Sequence, residues 1–213
     1  MDPADFVRAH TVLQATPFLP EIRLHLAADA FDLWEHTERE RADGAVAPPP
    51  FWAFPWAGGQ ALARYVLDHP ELVRHRVVLD LAAGSGLVAV AAARAGAAGV
   101  TASEIDRYAV AAVELNAWAN DVKVDVHLGD LLDGGTDAEV VLAGDVFYSR
   151  AMAQRVLAFL DRAAERGAQV LIGDPGRAYL PRERLTALST VTVPVLRALE
   201  DAQVKRVTVW RLG

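Results

Sequence analysis

Val77-Val78-Leu79-Asp80-Leu81-Ala82-Ala83-Gly84-Ser85-Gly86-Leu87-Val88-Ala89 is the stretch that decides the fold. It opens with a short apolar run, passes through a glycine turn and closes on residues with a helical pattern. A strand entering a helix through glycines has two consequences. The backbone can take left-handed conformations, and a ligand can lie directly against the main chain. The helix that begins there presents unpaired N–H groups to whatever occupies the turn. In an open α/β sheet that position is the ligand crevice, at the carboxyl end of a strand.

Working outward, the same alternation recurs. A helix is expected over 59–68, stopping near Pro70, and the decisive strand follows at 77–81 with its helix at 87–95. Further strands are expected at 100–105, 122–128, 140–143 and 170–172, with helices at 108–119 and 151–164 between them. Short apolar strands separated by helices of ten to fifteen residues pair in parallel through right-handed crossovers. The tail differs: Val191-Thr192-Val193 and Val204 to Trp210 read as an antiparallel hairpin. Ahead of the alternating region, residues 3–14 have a helical pattern, and 35–41 form a charged run suited to a solvated helix face. Pro48-Pro49-Pro50 marks a boundary. The expectation is a helical N-terminal extension over 1–50 and a Rossmann-like, mostly parallel α/β domain over 51–213.

Composition narrows the function classes. At 213 residues, 53% apolar and 23% charged, the chain can bury a full core. A net charge of −7 gives no basic surplus for a phosphate backbone, so no nucleic-acid partner is expected. The absence of Cys removes disulfides, thiolate metal sites and cysteine nucleophiles. The six His residues lack ligand spacing, so no metal is assigned. The first residues carry acids and no apolar segment, and the most apolar stretch, 77–102, is interrupted by Asp80, glycines and Arg94. These features predict a cytoplasmic protein without a membrane span; a monomeric or weakly associating chain is expected.

Two cofactors compete for the glycine turn. Gly84-Ser85-Gly86-Leu87-Val88-Ala89 fits the dinucleotide pattern G-x-G-x-x-A, and Glu104 follows Gly84 by 20 residues, as a ribose-binding acid would. Against a dinucleotide, Asp80 sets a carboxylate before the turn, unfavourable to a pyrophosphate but suited to the amino group of a methionine moiety. Tyr-x-x-x-Lys is also missing, since His69, Ala112, Met152 and Glu183 stand four residues after the tyrosines.

Asp80-Leu81-Ala82-Ala83-Gly84-Ser85-Gly86 with Glu104 24 residues beyond Asp80 resembles the first two motifs of class I, seven-strand, S-adenosylmethionine-dependent methyltransferases. The resemblance implies that Glu104 binds ribose hydroxyls and that Ala82, Gly84 and Gly86 pass beneath the cofactor, with Ala82 standing where most members carry glycine. It also places Asp130 beside the adenine.

A second constellation, Gly144-Asp145-Val146-Phe147-Tyr148, follows the fourth strand of the alternating region. A carboxylate close to aromatic rings suits an amine acceptor, because the acid receives N–H groups and ring faces hold a cation. Asp145-x-x-Tyr148 resembles the D-x-x-[YF] motif of protein-lysine methyltransferases. Residues 49–62, 144–148 and 172–177 resemble the electron-transfer-flavoprotein β-subunit lysine methyltransferases. That resemblance runs from about residue 17 to the C-terminus. It implies that Asp145 and Tyr148 are catalytic, that Trp56 and Gly144 contact the cofactor, and that Trp52, Phe147, Asp174 and Arg177 line the acceptor side. The expected partner is a protein substrate, the electron-transfer-flavoprotein β subunit. Ribosomal-protein L11 methyltransferases share the fold, but their asparagine-proline loop is replaced here by Gly144-Asp145-Val146-Phe147. An L11-type or small-amine acceptor, and a cofactor-binding protein without catalysis, are the alternatives.

Overall fold

The computed structural model describes residues 1–28, 30–39, 49–195 and 203–213. Helix α1 (Pro3–His10) leads into an antiparallel hairpin of β1 (Val12–Thr16) and β2 (Leu19–Leu26), followed by α2 (Ala30–Arg39). The extension is therefore not wholly helical. Residues 12–14, expected inside the first helix, are strand because α1 ends at His10. Ile22, Leu24 and Leu26, spaced two residues apart, bury on one face, and Leu19 joins the same core cluster across the irregularity in the hairpin register. Glu40 and Arg41 of the charged run and Pro48 of the proline boundary lie outside the described residues.

From there the alternating pattern holds: α3 (Ala57–Asp68), β3 (Val77–Leu81), α4 (Leu87–Arg94), β4 (Gly99–Glu104), α5 (Arg107–Ala119) and β5 (Asp125–Leu128). Then come β6 (Val140–Gly144), α6 (Arg150–Glu165), β7 (Gln169–Asp174), β8 (Leu185–Pro194) and β9 (Val204–Leu212). The seven-stranded sheet has the order β5-β4-β3-β6-β7-β9-β8, parallel except where β9 pairs antiparallel with β7 and β8. The chain walks outward from β3 through β4 to β5, then returns to β6 on the other side. The switch point thus lies between β3 and β6.

The hairpin β1–β2 is fixed to α5 through side chains. Asn120 accepts from Arg23 N–H at 3.0 Å through Oδ1 and donates to the Arg23 carbonyl through Nδ2 at 2.6 Å. Asn116, one turn earlier, accepts from His25 N–H at 2.7 Å and donates to the Ser85 carbonyl at 2.8 Å. The free edge of β2 is therefore satisfied by two asparagines at i and i+4 instead of by a third strand. Phe6 of α1 packs on Tyr108 of α5 with ring centroids 4.6 Å apart.

Three backbones converge where α3 begins. A Cβ built on Gly58 would lie 2.2 Å from the Gly173 carbonyl oxygen and 2.5 Å from Asp145 Oδ2. One built on Gly144 would lie 2.9 Å from Gly59 Cα. The first turn of α3 is thus pressed against the ends of β6 and β7, and only hydrogen side chains permit the approach. Gly59 differs from its neighbour, since its own Cβ would meet nothing closer than Val88 at 3.9 Å.

Adjacent glycines therefore predict opposite outcomes. Gly58→Ala should cost about 3 kcal/mol or more, because rigid backbone blocks the methyl group. Gly59→Ala should be neutral or stabilising by up to about 1 kcal/mol through helix propensity. Chemical unfolding of both purified variants checks this, and equal losses would refute it.

Candidate active site

The cleft of about 910 Å³ opens at the carboxyl ends of β3, β4, β5 and β6. Its floor is the turn after β3. Gly86 caps α4 from a left-handed conformation, φ 73°, and Ala82 adopts φ 54° despite its methyl group. Left-handed backbone costs a non-glycine residue roughly 1–2 kcal/mol, so the Ala82 turn carries strain at the cleft floor. Glu104, at the end of β4, braces the same turn. Its Oε1 accepts from Gly84 N–H at 2.6 Å, and Oε2 accepts from Ile105 N–H at 3.0 Å. Burial raises the Glu104 carboxyl above the ordinary range, against those two donors. Ile105 and Leu128 stand exposed beside it on the cleft wall.

A smaller recess of about 50 Å³ adjoins the cleft between the starts of α3 and α4. Asp80 and Asp145 both border it. Asp80 is 1% exposed and its Oδ2 accepts from Ala89 N–H at 2.8 Å, in the first turn of α4. Burial pushes its carboxyl up to about 8, the Ala89 bond opposing and the Glu104 charge adding to the shift. Asp145 sits just past β6 in a left-handed conformation, φ 58°. Its Oδ2 accepts from Gly59 N–H at 2.9 Å, while Oδ1 accepts from Arg177 Nε at 3.2 Å and Nη2 at 2.7 Å. Burial raises Asp145 to about 6, held below Asp80 by the Arg177 charge and these bonds. It does not cap α6, because Ser149 fills that place.

The aromatic wall comes from the segment before α3 and the turn after β6. Phe51 faces Trp56 edge-on at 5.5 Å and Tyr148 at 5.9 Å. Trp56 Nε1 donates to the Phe51 carbonyl at 2.8 Å, fixing that corner. Trp52 is 2% exposed, yet it lines the cleft from the core side. Tyr148 is half exposed, and burial of its inner half raises its hydroxyl.

The structure brings Asp145, Tyr148, Trp52, Trp56, Ala82, Gly84, Glu104, Gly144 and Arg177 to the cleft, with Asp80 at the adjoining recess. Four of the expected residues do not line the cleft, the first being Gly86, where an added Cβ would meet Val113 of α5 at 3.0 Å. Phe147 is fully buried in the cluster beneath β6 and α6, because the turn at Asp145 sends it inward and Tyr148 outward. Asp130 is not among the cleft residues: Arg155 holds its carboxylate at 2.8 Å on the surface. Asp174 lies behind the cleft, where its Oδ1 accepts from Gly176 and Arg177 N–H groups at 2.6 and 2.7 Å and so builds the turn that presents Arg177. Ile105, Leu128 and Phe51 were missed, although each directly follows, ends or opens a segment already assigned to the site.

S-adenosylmethionine fits this donor set. Glu104 between exposed Ile105 and Leu128 suits a ribose joined to a flat apolar base. The recess between two helix N-termini, bordered by two buried carboxylates, suits an amino-acid end bearing both charges. Among the described residues, no group of three or more His, Asp or Glu could hold a metal ion. None of their helices is long and apolar enough to cross a membrane.

The chain matches the ribosomal protein L11 methyltransferase (PrmA) family over residues 61–168. It is 39% identical to the electron transfer flavoprotein beta subunit lysine methyltransferase of Xenopus laevis over 201 residues, 93% of this chain and 76% of that protein. The Danio rerio protein of the same name is 35% identical over 210 residues, 94% and 79% of the two chains. Among solved structures, magnesium protoporphyrin IX methyltransferase from Synechocystis with bound SAM superposes with a TM-score of 0.56 at 14% identity, covering 73% of this chain and 78% of that one. At that identity the likeness concerns the fold.

Two stability outcomes follow from the strained and buried groups. A carboxyl raised from about 4 unfolded to about 8 folded stabilises fully below the unfolded value and loses that contribution as pH rises toward 8. Asp80→Asn, which keeps an acceptor for Ala89 N–H and cannot ionise, should remove on the order of 3 kcal/mol of the decline between pH 5 and 8. Unfolding curves across that range decide, and parallel slopes would exclude Asp80 as the cause. Ala82→Gly should raise stability by roughly 0.5–1 kcal/mol at constant pH, read by the same curves.

Proposed function

The chain belongs to the electron-transfer-flavoprotein β-subunit lysine methyltransferase family, and from that premise we propose that it methylates lysine side chains of the electron-transfer-flavoprotein β subunit. The observation that carries the acceptor assignment is Asp145, a buried carboxylate at the cleft edge beside the Tyr148 ring. We further assign residues 51–213 as the catalytic domain and the cytoplasm as its compartment, the chain acting as a monomer.

S-adenosylmethionine, when bound, supplies an electrophilic methyl group on a sulfonium. In this assignment Glu104, the turn at Ala82–Gly84, Gly144 and Trp56 hold its nucleoside side, with Asp80 facing the amino-acid end. The work left to the protein is to deliver a neutral amine in line. Lysine has a reference pKa near 10.4, so neutralising it at pH 7 costs about 4–5 kcal/mol. A largely apolar cleft lowers that cost by disfavouring the charged form. Asp145 accepts one N–H of the amine and fixes the direction of its lone pair, which is where most of the acceleration from positioning arises. Tyr148 and Phe51 flank the alkyl stem and exclude water. The carboxylate is the form that accepts, so transfer rises as pH passes upward through about 6.

Asp145→Asn keeps a residue that tolerates the left-handed backbone and removes the charge. Transfer to the flavoprotein β subunit should fall at least 100-fold, while affinity for S-adenosylhomocysteine stays within about threefold. Tritium incorporation with mass-spectrometric assignment of the labelled residue, alongside calorimetry, checks both. Normal methylation by the variant would refute the acceptor-site assignment. Label on a ribosomal protein in place of the flavoprotein would move the chain to the L11-type reading.

A further inference from the structure

We propose that Arg177 is a positioning residue that makes the acceptor site selective for the neutral form of the lysine amine. The inference rests on the lysine reading above and adds a role for a cation at a site that has to receive one.

The geometry is specific. Oδ1 of Asp145 is taken by two N–H groups of Arg177 and Oδ2 by the Gly59 N–H. Arg177 itself lines the cleft, and its side chain is 22% exposed. An ammonium approaching Asp145 therefore meets a carboxylate whose charge is already balanced, with a guanidinium at its side. A neighbouring positive charge lowers the pKa of a titratable cation by roughly one to two units, so Arg177 cancels the rise that an unpaired Asp145 carboxylate would cause in the lysine. Guanidinium does not yield its proton, so of the two cations the lysine is the one that can. The neutral amine that remains needs only one acceptor lone pair, and the carboxylate still offers one.

Charges around this pair come from every neighbouring element. Glu104 at the end of β4 and the Tyr148 hydroxyl face it across the cleft, and Asp80 borders the adjoining recess. Asp174 lies behind it, with Arg182 beyond Asp174. The carboxylates would attract an ammonium; Asp106 and Arg107 also line the cleft, at the start of α5, and Arg177 is the arginine bonded to Asp145 itself. Its placement is built in: Asp174 holds the Arg177 backbone through an Asx turn, and Gly176 before it takes a left-handed conformation, φ 91°. A side chain whose only task was to neutralise Asp145 could sit behind it; this one stands on the open side.

The test is the pH profile of kcat at saturating flavoprotein and S-adenosylmethionine, since kcat reports ionisations of the bound complex. Arg177→Gln should move the alkaline rising limb upward by about one to two pH units. Arg177→Lys, which keeps the charge and loses the paired donors, should return the limb to within half a unit while kcat stays reduced. S-adenosylhomocysteine affinity within about threefold of the parent shows that each variant retains its cofactor site. A limb unmoved in Arg177→Gln overturns the inference, even if kcat falls, because that pattern is a structural loss alone. If the Gln variant does not fold, Arg177→Lys decides: a limb displaced by more than one unit with charge retained overturns it as well. Parent enzyme that labels no flavoprotein lysine at any pH removes the lysine reading and this inference together; labelling with an unmoved limb removes only the inference.

Discussion

The structure depends on one buried carboxylate sitting at the start of one helix. Asp145 is 8% exposed, in a left-handed backbone conformation, and is held by the Gly59 N–H of α3 and by Arg177. An isolated buried charge would be costly, and here the Gly59 N–H, two N–H groups of the Arg177 guanidinium and the positive end of a helix dipole offset it. For those donors to reach it, the first turn of α3 must touch the ends of β6 and β7. That is why hydrogen side chains occur at 58, 144 and 173 together. The fold and the acceptor site share a single constraint: moving α3 outward by a methyl group would strip Asp145 of its backbone donor.

A second linkage joins the N-terminal region to the cofactor turn. Asn116 bonds the backbone of β2 with one end of its amide and the Ser85 carbonyl with the other. The hairpin β1–β2 is thus connected to the glycine turn through one side chain. Trp52 and Phe54 bury against α5 in the same cluster as Phe6 and Val7 of α1. Of the residues ahead of 51, Thr37 and Pro49 line the cleft, and α1 joins the cluster that holds Trp52 and Phe54 in place.

Legibility followed physical type. The decisive strand, its glycine turn and Glu104 were readable because each is a local signal, an apolar run, a conformational requirement or a fixed spacing. The hairpin over 12–26 was not. Pro17 and Pro20 break the alternation, and Leu19, Ile22, Leu24 and Leu26 fit helical and strand periods over so short a span. Asn116 and Asn120 stand in the last turn and at the C-cap of α5, and nothing local marks a strand partner about ninety residues away. Phe147 and Tyr148 could not be told apart by position. Only the left-handed turn at Asp145 sends one into the core and the other to the cleft. Asp130 carries the right spacing, but Arg155 on α6 draws it to the surface, a contact invisible before the chain is folded.

Asp80 and Asp145 border one small recess and answer the same electrostatic problem differently. Asp80 has a backbone donor and, among the described residues, no ion-pair partner, so burial dominates and the proton stays to about 8. Asp145 has a backbone donor of the same kind and Arg177 as well, so its proton leaves at about 6. At neutral pH one acid is mostly protonated and the other mostly ionised, although both are almost fully buried a short distance apart. A cation reaching Asp80 displaces a proton; an amine reaching Asp145 meets a carboxylate already formed and a positive charge already present. A single arginine, placed by the turn after β7, divides two otherwise similar carboxylates into a site that welcomes positive charge and a site that accepts a neutral donor.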